Sequence, residues 1–490
     1  VFSLNDCPDF TFGVEICEDL WVTIPVSSTH ALAGANVLCN LSASNEIISK
    51  ANYRRNLVKD QSAKCYAGYV YASAGPTESS SDLVFSGHNL ICENGTILSE
   101  TKTDKTIYGQ IDLDHLNHDR LHYKTSMQDL FHVNYTTVEF TSKPIEEIEF
   151  DRYIDAYPFV PNNQDERIVR CLEILHIQAQ GLATRLSKIH CKDVVIGISG
   201  GLDSTLALLV CHEAFKINNY DSKGIHAITM PGFGTTKRTK SNAQILMDLL
   251  HVSSEEISIV DGVNQHFKDI HHDPEIHNIT YENSQARERT QILMDLSNAY
   301  NAIVVGTGDL SELALGWCTY NGDHMSMYAV NASVPKTLVR YIVESVALKD
   351  EILHDVLMDI CDTPVSPELL PPDKNGKIAQ KTEEVLGSYD LHDFFLYQML
   401  RHHDEPKKIY DLACVAFKDV EKETIKKAIT TFYNRFFTQQ FKRNCVPDGV
   451  KVGSISLSPR GDLRMPSDMN FKSYLEEIEK IERENENKKN

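Results

Sequence analysis

The sequence has no closely spaced cysteine pair and no long apolar run, and only two of its residues are tryptophan. Its 490 residues include twelve cysteines, none of which belongs to a Cys-x-x-Cys pair. Scattered thiols argue against a disulfide framework or a zinc cluster and predict a reducing, cytoplasmic compartment. A membrane helix needs about 18 apolar residues in a row, and no run approaches that length, so we expect no membrane partner.

Positive charge is also scarce. The chain carries 48 lysines and arginines against 69 aspartates and glutamates, a formal net charge of -21. A field of this sign repels polyanions, which argues against nucleic acid or an anionic membrane surface as a partner. A hydrophobic content of 42% over this length predicts a globular protein of two or three domains. Any anionic ligand must be bound by local groups.

Changes in pattern along the chain predict where the domains lie. Short β-type runs punctuated by Gly, Asn and Ser fill residues 1–140, which indicates an α/β unit with a mixed sheet. Residues 141–163 bring several prolines and an acidic cluster without periodicity, and we expect a linker there. The second domain is expected over 164–475, followed by a polar tail, 476–490, with nothing to bury.

The second domain alternates strands with helices. Asn163 and Glu166 have the spacing of a capping box, which predicts the start of a long helix. The runs VVIGI, IHAIT, EISIV and AIVVG are short and rich in β-branched residues, and amphipathic helices separate them. This alternation predicts a doubly wound parallel sheet whose ligands bind at the carboxyl ends of the strands, with a mostly helical region after Gln380.

A glycine-rich break follows the first of these strands. Ser199, Gly200, Gly201, Asp203 and Ser204 lie between a strand and a helix, so backbone N–H groups and two hydroxyls surround one small volume. The positive end of a helix, worth about half an elementary charge, favours phosphate there. No lysine follows to reach a γ-phosphate, so the bound group is predicted to be a pyrophosphate. The alternative is a tight turn with Asp203 as a helix cap.

The full string SGGLDS resembles the signature of the ATP pyrophosphatases. Four other blocks, MPGFGTTKRTKSNA (230–243), the run from Tyr281 to Asp323, SPELLPP (366–372) and FKRNCVPDGVKVGS (441–454), resemble the glutamine-dependent NAD synthetases. The resemblance implies a nitrilase-like α/β sandwich, present in part, followed by a synthetase domain similar to the adenine nucleotide alpha hydrolases. Family members assemble as oligomers, which implies a homo-oligomer here.

The family's reaction implies the substrates and cofactors. ATP converts the carboxylate of deamido-NAD to an acyl-adenylate, pyrophosphate leaves, and ammonia then displaces AMP to form NAD. Magnesium is needed because negative charge accumulates on the phosphates, and one or two carboxylates usually hold it. Asp203 and Glu312 are the predicted metal ligands, and Glu312 is also expected near deamido-NAD. A capping or surface role is the alternative for Glu312.

Further residues match family positions that contact the substrates. Thr307 corresponds to a threonine that contacts ATP, although a turn hydroxyl bonding its own backbone is the alternative. Asn283, Trp317 and Lys442 correspond to contacts with deamido-NAD, and an indole is able to stack on a base or nicotinate ring. The alternatives are a core position for Trp317 and a solvated face for Lys442. Ser199, Gly200, Gly201, Asp203 and Ser204 complete the predicted ATP site.

The amino-terminal half resembles the nitrilase-like amidases. In GVEICEDLW (13–21), Cys17 matches the nucleophile that attacks glutamine and releases ammonia, although a lone cysteine is often a packed small hydrophobe. Ser44 in CNLSASN matches a glutamine contact. At Lys50 the family pattern has an arginine that grips the glutamine carboxylate in a bidentate manner, whereas lysine offers a point charge.

The amidase is expected to be weak in this chain. The family places a catalytic Glu and Lys well before the cysteine, and only sixteen residues precede Cys17. We therefore expect an incomplete amidase fold and synthesis from free ammonia in place of glutamine. Two other functions remain open: a different amidotransferase of the ATP pyrophosphatase group, or a nucleotide-binding protein without turnover.

Overall fold

The computed structural model describes residues 1–103, 105–122, 134–143, 150–234, 237–363 and 386–487, with backbone only for 237–240 and 481–487. The chain forms two compact units. One comprises Val1–Ile154 with His402–Asp404, and the other comprises Asp155–Arg401 with Glu405–Asn490. The division after Ile154 falls within the segment 141–163 where we expect a linker. The block SPELLPP (366–372) lies outside the described residues.

The first unit is built on a seven-stranded mixed sheet with strand order β6-β5-β4-β3-β2-β1-β7. Strands β2, β3 and β4 run parallel, and β5 and β6 form an antiparallel hairpin beside β4. The strands are β1 (Phe2–Leu4), β2 (Cys7–Ile16), β3 (Val37–Ser42), β4 (Gly68–Ser73), β5 (Asn89–Glu93), β6 (Thr96–Thr101) and β7 (Val138–Phe140). The helices are α1 (Val26–Leu32), α2 (Lys50–Lys64) and α3 (Leu113–His122), with a 3₁₀ turn at Cys17–Leu20.

The second unit is built on a five-stranded, wholly parallel sheet with strand order β10-β9-β8-β11-β12. Its strands are β8 (Val194–Gly197), β9 (Ile225–Thr229), β10 (Ser253–Glu256), β11 (Ile303–Gly306) and β12 (Tyr328–Ala329). Its helices are α4 (Gln164–Lys188), α5 (Leu202–Asn218), α6 (Lys237–Leu249), α7 (Val260–Asp269), α8 (Ile279–Ala299), α9 (Leu310–Leu315), α10 (Lys336–Ala347), α11 (His354–Cys361), α12 (Tyr389–Tyr397), α13 (Pro406–Ala416), α14 (Lys422–Thr438), α15 (Gln440–Arg443) and α16 (Lys472–Asn487).

Local sequence explains how the layers form around this sheet. Asn163 caps α4 as expected, because its side chain accepts a hydrogen bond from the backbone N–H of Glu166 at 3.0 Å. Leu175, Leu182 and Leu186 lie on one face of α4 and pack into the core shared with β8 and α5. The parallel sheet with helices around it confirms the predicted α/β class.

Two expectations about this unit differ from the structure. The run EISIV was expected as a strand, but the edge strand β10 is Ser253–Glu256 and the run leads into α7 instead. An edge strand pairs on one side only, so its residues need no apolar pattern, whereas Ile259 is buried where α7 begins. Residues 476–487 were expected as a polar tail, yet they continue α16, and Ile478 is only 2% exposed.

A search of the described residues finds no helix that is both long and apolar enough to cross a membrane. The longest helix, α4, spans 25 residues and alternates buried and charged positions. This finding agrees with the lack of long apolar runs in the sequence.

Candidate active site

The predicted phosphate loop lies between β8 and α5. Gly200 has a φ of +85°, a left-handed conformation that a side chain disfavours, and Gly201 caps α5. The hydroxyls of Ser199 and Ser204 are 3.1 Å apart, and Ser199 Oγ accepts from the N–H of Gly201 at 3.2 Å. The loop therefore gathers two hydroxyls and the start of a 17-residue helix around one point.

A second loop meets it from the carboxyl end of β11. Asp309 caps α9: its Oδ1 accepts from the N–H of Glu312 at 2.8 Å, and Glu312 Oε2 accepts from the N–H of Asp309 at 3.4 Å. This reciprocal capping box fixes both carboxylates on the first turn of a short helix. The capping alternative for Glu312 is thus seen in the structure, but it occupies only one of the two carboxylate oxygens.

Lys336, the first residue of α10, joins the two loops. Its Nζ lies 2.9 Å from Asp203 Oδ2, 2.6 Å from Asp309 Oδ2 and 3.0 Å from Glu312 Oε1. Asp309 is fully buried, and the Lys336 side chain is only 10% exposed. Three carboxylates thus share one ammonium group. The sequence reasoning missed Lys336 and Asp309, although Asp309 lies in the GTGDLS string that singled out Glu312.

The surroundings shift the ionisation of these groups. Burial raises the pKa of Asp309 well above its ordinary value, with Lys336 opposing this shift. Burial likewise raises the pKa of Glu312 to about 6, again against the effect of Lys336. Burial lowers the pKa of Lys336, but the charges of the three carboxylates outweigh burial, and the net shift is well upward. The cluster therefore keeps its lysine charged and retains an excess of acidic groups.

The excess of carboxylates fits a divalent cation. One oxygen each from Asp203, Asp309 and Glu312 lies within 4.8 Å of the others. Asp203 Oδ1 is buried and has no hydrogen-bond partner within the described part of the chain. Carboxylate oxygens are the ligands that Mg²⁺ prefers in proteins. The donor set, its spacing and the unpartnered oxygen all fit magnesium.

Asn331 joins the phosphate loop and the loop after β11 by hydrogen bonds. Its side-chain amide donates to the carbonyl oxygen of Asp203 at 2.9 Å and to that of Thr307 at 3.0 Å. Gln178 of α4 donates in turn to Asn331 Oδ1 at 3.0 Å. The carbonyl of the predicted ATP contact Thr307 is thus fixed relative to the phosphate loop. Sequence reasoning had no signal for Asn331, because a buried amide and a surface amide look alike in a single sequence.

Asp393 of α12 holds the start of α10. Its carboxylate accepts from the hydroxyl of Ser311, from the N–H of Thr337 at 3.0 Å and from the hydroxyl of Thr337 at 2.7 Å. Burial raises the pKa of Asp393 to about 6 despite these hydrogen bonds. Because Ser311 also accepts from the N–H of Lys336 at 2.8 Å, this network positions the lysine of the acidic cluster.

Besides Glu312, three residues were expected to contact deamido-NAD, and all three converge on the segment after α9. The indole of Trp317 lies under the guanidinium of Arg435, 5.1 Å from the ring centroid. Lys442 Nζ donates to the carbonyl oxygens of Gly316 and Cys318, each at 2.7 Å. Asn283 Oδ1 accepts from the hydroxyl of Thr319 at 2.8 Å. The structure brings all three together around residues 316–319, with Lys442 engaged by backbone carbonyls.

A narrow cleft opens beside this segment. Glu312 lines it together with Gly306, Asp323 and His324. Burial raises the pKa of Asp323, which accepts from the N–H of Thr319 at 2.6 Å. Asp323 is a further acidic group that the sequence reasoning passed over, although it ends the quoted block that begins at Tyr281. The cleft links the acidic cluster to the segment that holds Trp317.

In the first unit, Cys17 follows β2 directly and has a φ of +48°. This strained conformation of a residue other than glycine is typical of functional turns. The hydroxyl of Ser42 donates to Cys17 Sγ at 3.5 Å. Left-handed backbone at residues other than glycine also occurs elsewhere in the described chain, for example at Tyr66 and His190, so the nucleophile role of Cys17 stays a prediction.

Ser44 and Lys50 lie in the loop after β3 and at the start of α2. The Lys50 ammonium contacts Asn45 Oδ1 and lies over the ring of Trp21, 5.3 Å from its centroid. Ser44 Oγ accepts from the fully buried guanidinium of Arg54 at 3.1 and 3.3 Å. Arg54 was missed because an arginine in a helical stretch usually lies on a solvated face.

Comparison with known proteins places these features in a family. The family described as NAD synthase matches residues 174–445. Glutamine-dependent NAD(+) synthetases of Mycobacterium bovis and Mycobacterium leprae are 38% and 39% identical to the chain, each over 98% of it and 76% of the relative. A crystal structure of the enzyme of that name from Cytophaga hutchinsonii aligns with a TM-score of 0.53 at 19% identity, over 96% of this chain and 73% of that chain.

Proposed function

The chain belongs to the glutamine-dependent NAD(+) synthetase family, and we propose that its acidic cluster and glycine loop activate deamido-NAD with ATP. The family's reaction is the ATP-dependent amidation of deamido-NAD to NAD, so the chain is a carbon–nitrogen ligase. The observation that carries the proposal is the meeting of three carboxylates and Lys336 at the carboxyl ends of the parallel strands β8 and β11. Ligands of such sheets bind at this edge.

The acidic cluster is the proposed magnesium site. Asp203, Asp309 and Glu312 would hold the cation, which when bound would neutralise charge on the phosphates of ATP. Lys336 lies among the same carboxylates and faces the same phosphates, so its charge adds to that of the helix end at α5. Asn331 keeps the two loops at a fixed separation. None of these residues needs to move a proton for the carboxylate of deamido-NAD to attack the α-phosphate.

The glycine loop is the proposed pyrophosphate site. Ser199, Gly200, Gly201 and Ser204 supply N–H and O–H donors to the β- and γ-phosphates, which leave together as pyrophosphate. The bond between the α- and β-phosphates breaks as the substrate carboxylate binds the α-phosphorus. Thr307 is proposed to contact the remaining adenylate.

The segment 316–319 is the proposed deamido-NAD site. Trp317 offers a flat face for a nicotinate or adenine ring, and Asn283 an amide for a polar edge. Lys442 is proposed to act through its hydrogen bonds to Gly316 and Cys318, which fix the segment, in addition to its charge. The adjoining cleft carries Asp323 within reach of the entering ammonia.

The first unit is the proposed source of ammonia from glutamine. Cys17 is proposed to attack the side-chain amide, and Ser44 and Lys50 to bind the amino-acid end of the substrate, with a glutamine-supported rate below the ammonium-supported rate, as the sequence predicts. With ammonium salts the second unit is expected to act without Cys17. We also propose a homo-oligomer, which light scattering after gel filtration will test.

The test supplies ATP, Mg²⁺, deamido-NAD and either ammonium or glutamine to the full chain. We expect equal amounts of NAD, AMP and pyrophosphate. Another amidotransferase of the same loop class would leave deamido-NAD unchanged. A nucleotide-binding protein without turnover would bind ATP and release neither AMP nor pyrophosphate over hours.

A further inference from the structure

A chain of polar side chains runs behind Cys17 inside the first unit. It consists of Arg54 on α2, Ser44 after β3, Tyr71 on β4 and Ser42 at the end of β3. All four are buried, and Arg54 and Tyr71 are at most 1% exposed. Polar groups that are removed from water must be paired within the protein. The donor and acceptor of each hydrogen bond can therefore be deduced from the neighbouring groups.

Hydrogen bonds join Arg54 to Ser44 at one end of this chain, and Tyr71 to Ser42 and Cys17 at the other. The Arg54 guanidinium donates to Ser44 Oγ, the Tyr71 hydroxyl donates to Ser42 Oγ at 2.7 Å, and Ser42 Oγ donates to Cys17 Sγ at 3.5 Å. Burial raises the pKa of Tyr71, while hydrogen bonds with Ser42 and Ser44 and the charge of Arg54 oppose the shift. Ser44 and Arg54 therefore lie near the Tyr71 hydroxyl and act on it through their polarity and charge.

The hydrogen bonds beside Cys17 point toward the sulfur when the thiol is ionised. A guanidinium has only N–H donors, so Ser44 Oγ must accept from Arg54. At the other end a thiolate is able only to accept. With Cys17 ionised, Tyr71 donates to Ser42 and Ser42 donates to the sulfur, so both of these hydroxyl protons are used.

The guanidinium of Arg54, at the end of the chain of side chains far from Cys17, has a carboxylate and an imidazole as neighbours. Arg54 contacts Glu46 Oε2 at 3.3 Å and His88 Nδ1 at 2.9 Å. Burial lowers the pKa of His88, whose other ring nitrogen lies 2.8 Å from Glu100 Oε1. Glu46 is 36% exposed, and water screens its charge more than that of the fully buried Arg54. A cation thus polarises the hydroxyls toward the sulfur.

We propose that Ser42 is a further catalytic residue, whose hydroxyl stabilises the Cys17 thiolate, and that Tyr71 and Arg54 are positioning residues that orient it. This proposal rests on the proposed role of Cys17 as the nucleophile. All the residues of this proposal lie between positions 17 and 71 of the sequence.

The test measures how fast iodoacetamide alkylates Cys17 at pH 7, by peptide mass spectrometry, with Cys7 in the same sample as the reference. We express the alkylation rate of Cys17 relative to that of Cys7. We expect this rate to fall about tenfold in Ser42→Ala and about threefold in Tyr71→Phe, as the loss of a charge-assisted hydrogen bond implies. Ser42→Thr keeps the hydroxyl and is expected to restore the rate. Tyr69→Phe removes an equally buried hydroxyl on the same strand, one that donates to Glu15, and is expected to leave the rate unchanged.

Three results would overturn the proposal. One is an unchanged Cys17 rate in Ser42→Ala, and another is a Ser42→Thr rate as slow as that of Ser42→Ala, since the effect would then come from packing. The third is Tyr69→Phe slowing Cys17 as much as Tyr71→Phe does. The nucleophile role fails separately, if full alkylation of Cys17 leaves glutamine-supported NAD formation intact.

Discussion

The two units solve opposite electrostatic problems. In the second unit three carboxylates surround a single ammonium group, and the site carries excess negative charge. In the first unit the predicted glutamine site carries two cations: Lys50 at its edge and Arg54 beneath Ser44. Although the chain has a formal net charge of -21, positive side chains lie at the site where the carboxylate of glutamine is predicted to bind.

The contrast indicates that the charge of each site is complementary to the charge of its proposed ligand. We propose that the acidic cluster, in which one oxygen of Asp203 is unpartnered, requires a metal cation before it binds phosphate. The proposed glutamine site, with a lysine and a buried arginine, requires no metal. Variants in one unit should therefore leave the partial reaction of the other unchanged.

The largest expected effect comes from the acidic cluster. Glu312→Gln keeps the size of the side chain but removes one proposed metal ligand, and we expect ammonium-supported NAD formation to fall about a thousandfold. Glu344→Gln, which loses only a surface ion pair with Arg340, serves as the control. Near-normal synthesis by Glu312→Gln would break the assignment of this cluster.

The separation of the units is sharpened by Cys17→Ala. Glutamine-supported NAD formation should fall to the rate measured without any nitrogen donor, while the ammonium-supported rate stays the same. Cys39→Ala, a partly buried thiol on the neighbouring strand β3, is the matched control. A parallel loss of both activities would show that the two sites do not act independently.

A smaller effect concerns the support of Lys336. Burial raises the pKa of Asp393 to about 6, so the folded state binds more protons than the unfolded chain between pH 4 and 6. Stability from this group is present at low pH and is lost as the pH rises through that range, on the order of 3 kcal/mol. Asp393→Asn should lack this loss in urea unfolding at several pH values, whereas the exposed Asp362→Asn should keep it. An identical pH profile for wild type and Asp393→Asn would contradict the shift.

The smallest effect is expected at the edge of the glutamine site. Lys50→Arg offers a planar fork to a carboxylate, and we expect the glutamine concentration for half-maximal NAD formation to drop about fivefold. The ammonium-supported rate provides the internal control. If Lys50→Ala binds glutamine as well as wild type, Lys50 has no part in the site.

Patterned features of the chain were predictable from the sequence. β-branched runs marked β8, β9 and β11, and Asn163 marked the start of α4. The glycine loop after β8 was also predictable, because a left-handed turn favours glycine at position 200 and the following helix has a recognisable sequence. Periodicity missed β10, whose single neighbour imposes no apolar alternation, and it missed the burial of Ile478 in an otherwise polar helix.

Roles that depend on tertiary contacts were not predictable. Lys336, Asp309 and Asn331 meet only when two loops and a later helix come together, and each has an ordinary surface or capping role in sequence terms. Arg54 is similar, since nothing in a helical stretch distinguishes a buried guanidinium from a solvated one. Local sequence thus reveals backbone geometry better than it reveals which distant charges share a site.

The central claim is that Asp203, Asp309 and Glu312 hold a divalent cation that competes with Lys336 for the same oxygens. Titration of Mn²⁺, followed by electron paramagnetic resonance with an ATP analogue that resists cleavage between the α- and β-phosphates, tests it directly. The account predicts that Glu312→Gln weakens Mn²⁺ binding by about tenfold or more and that Lys336→Met strengthens binding without nucleotide. Unchanged Mn²⁺ affinity in both variants would contradict it.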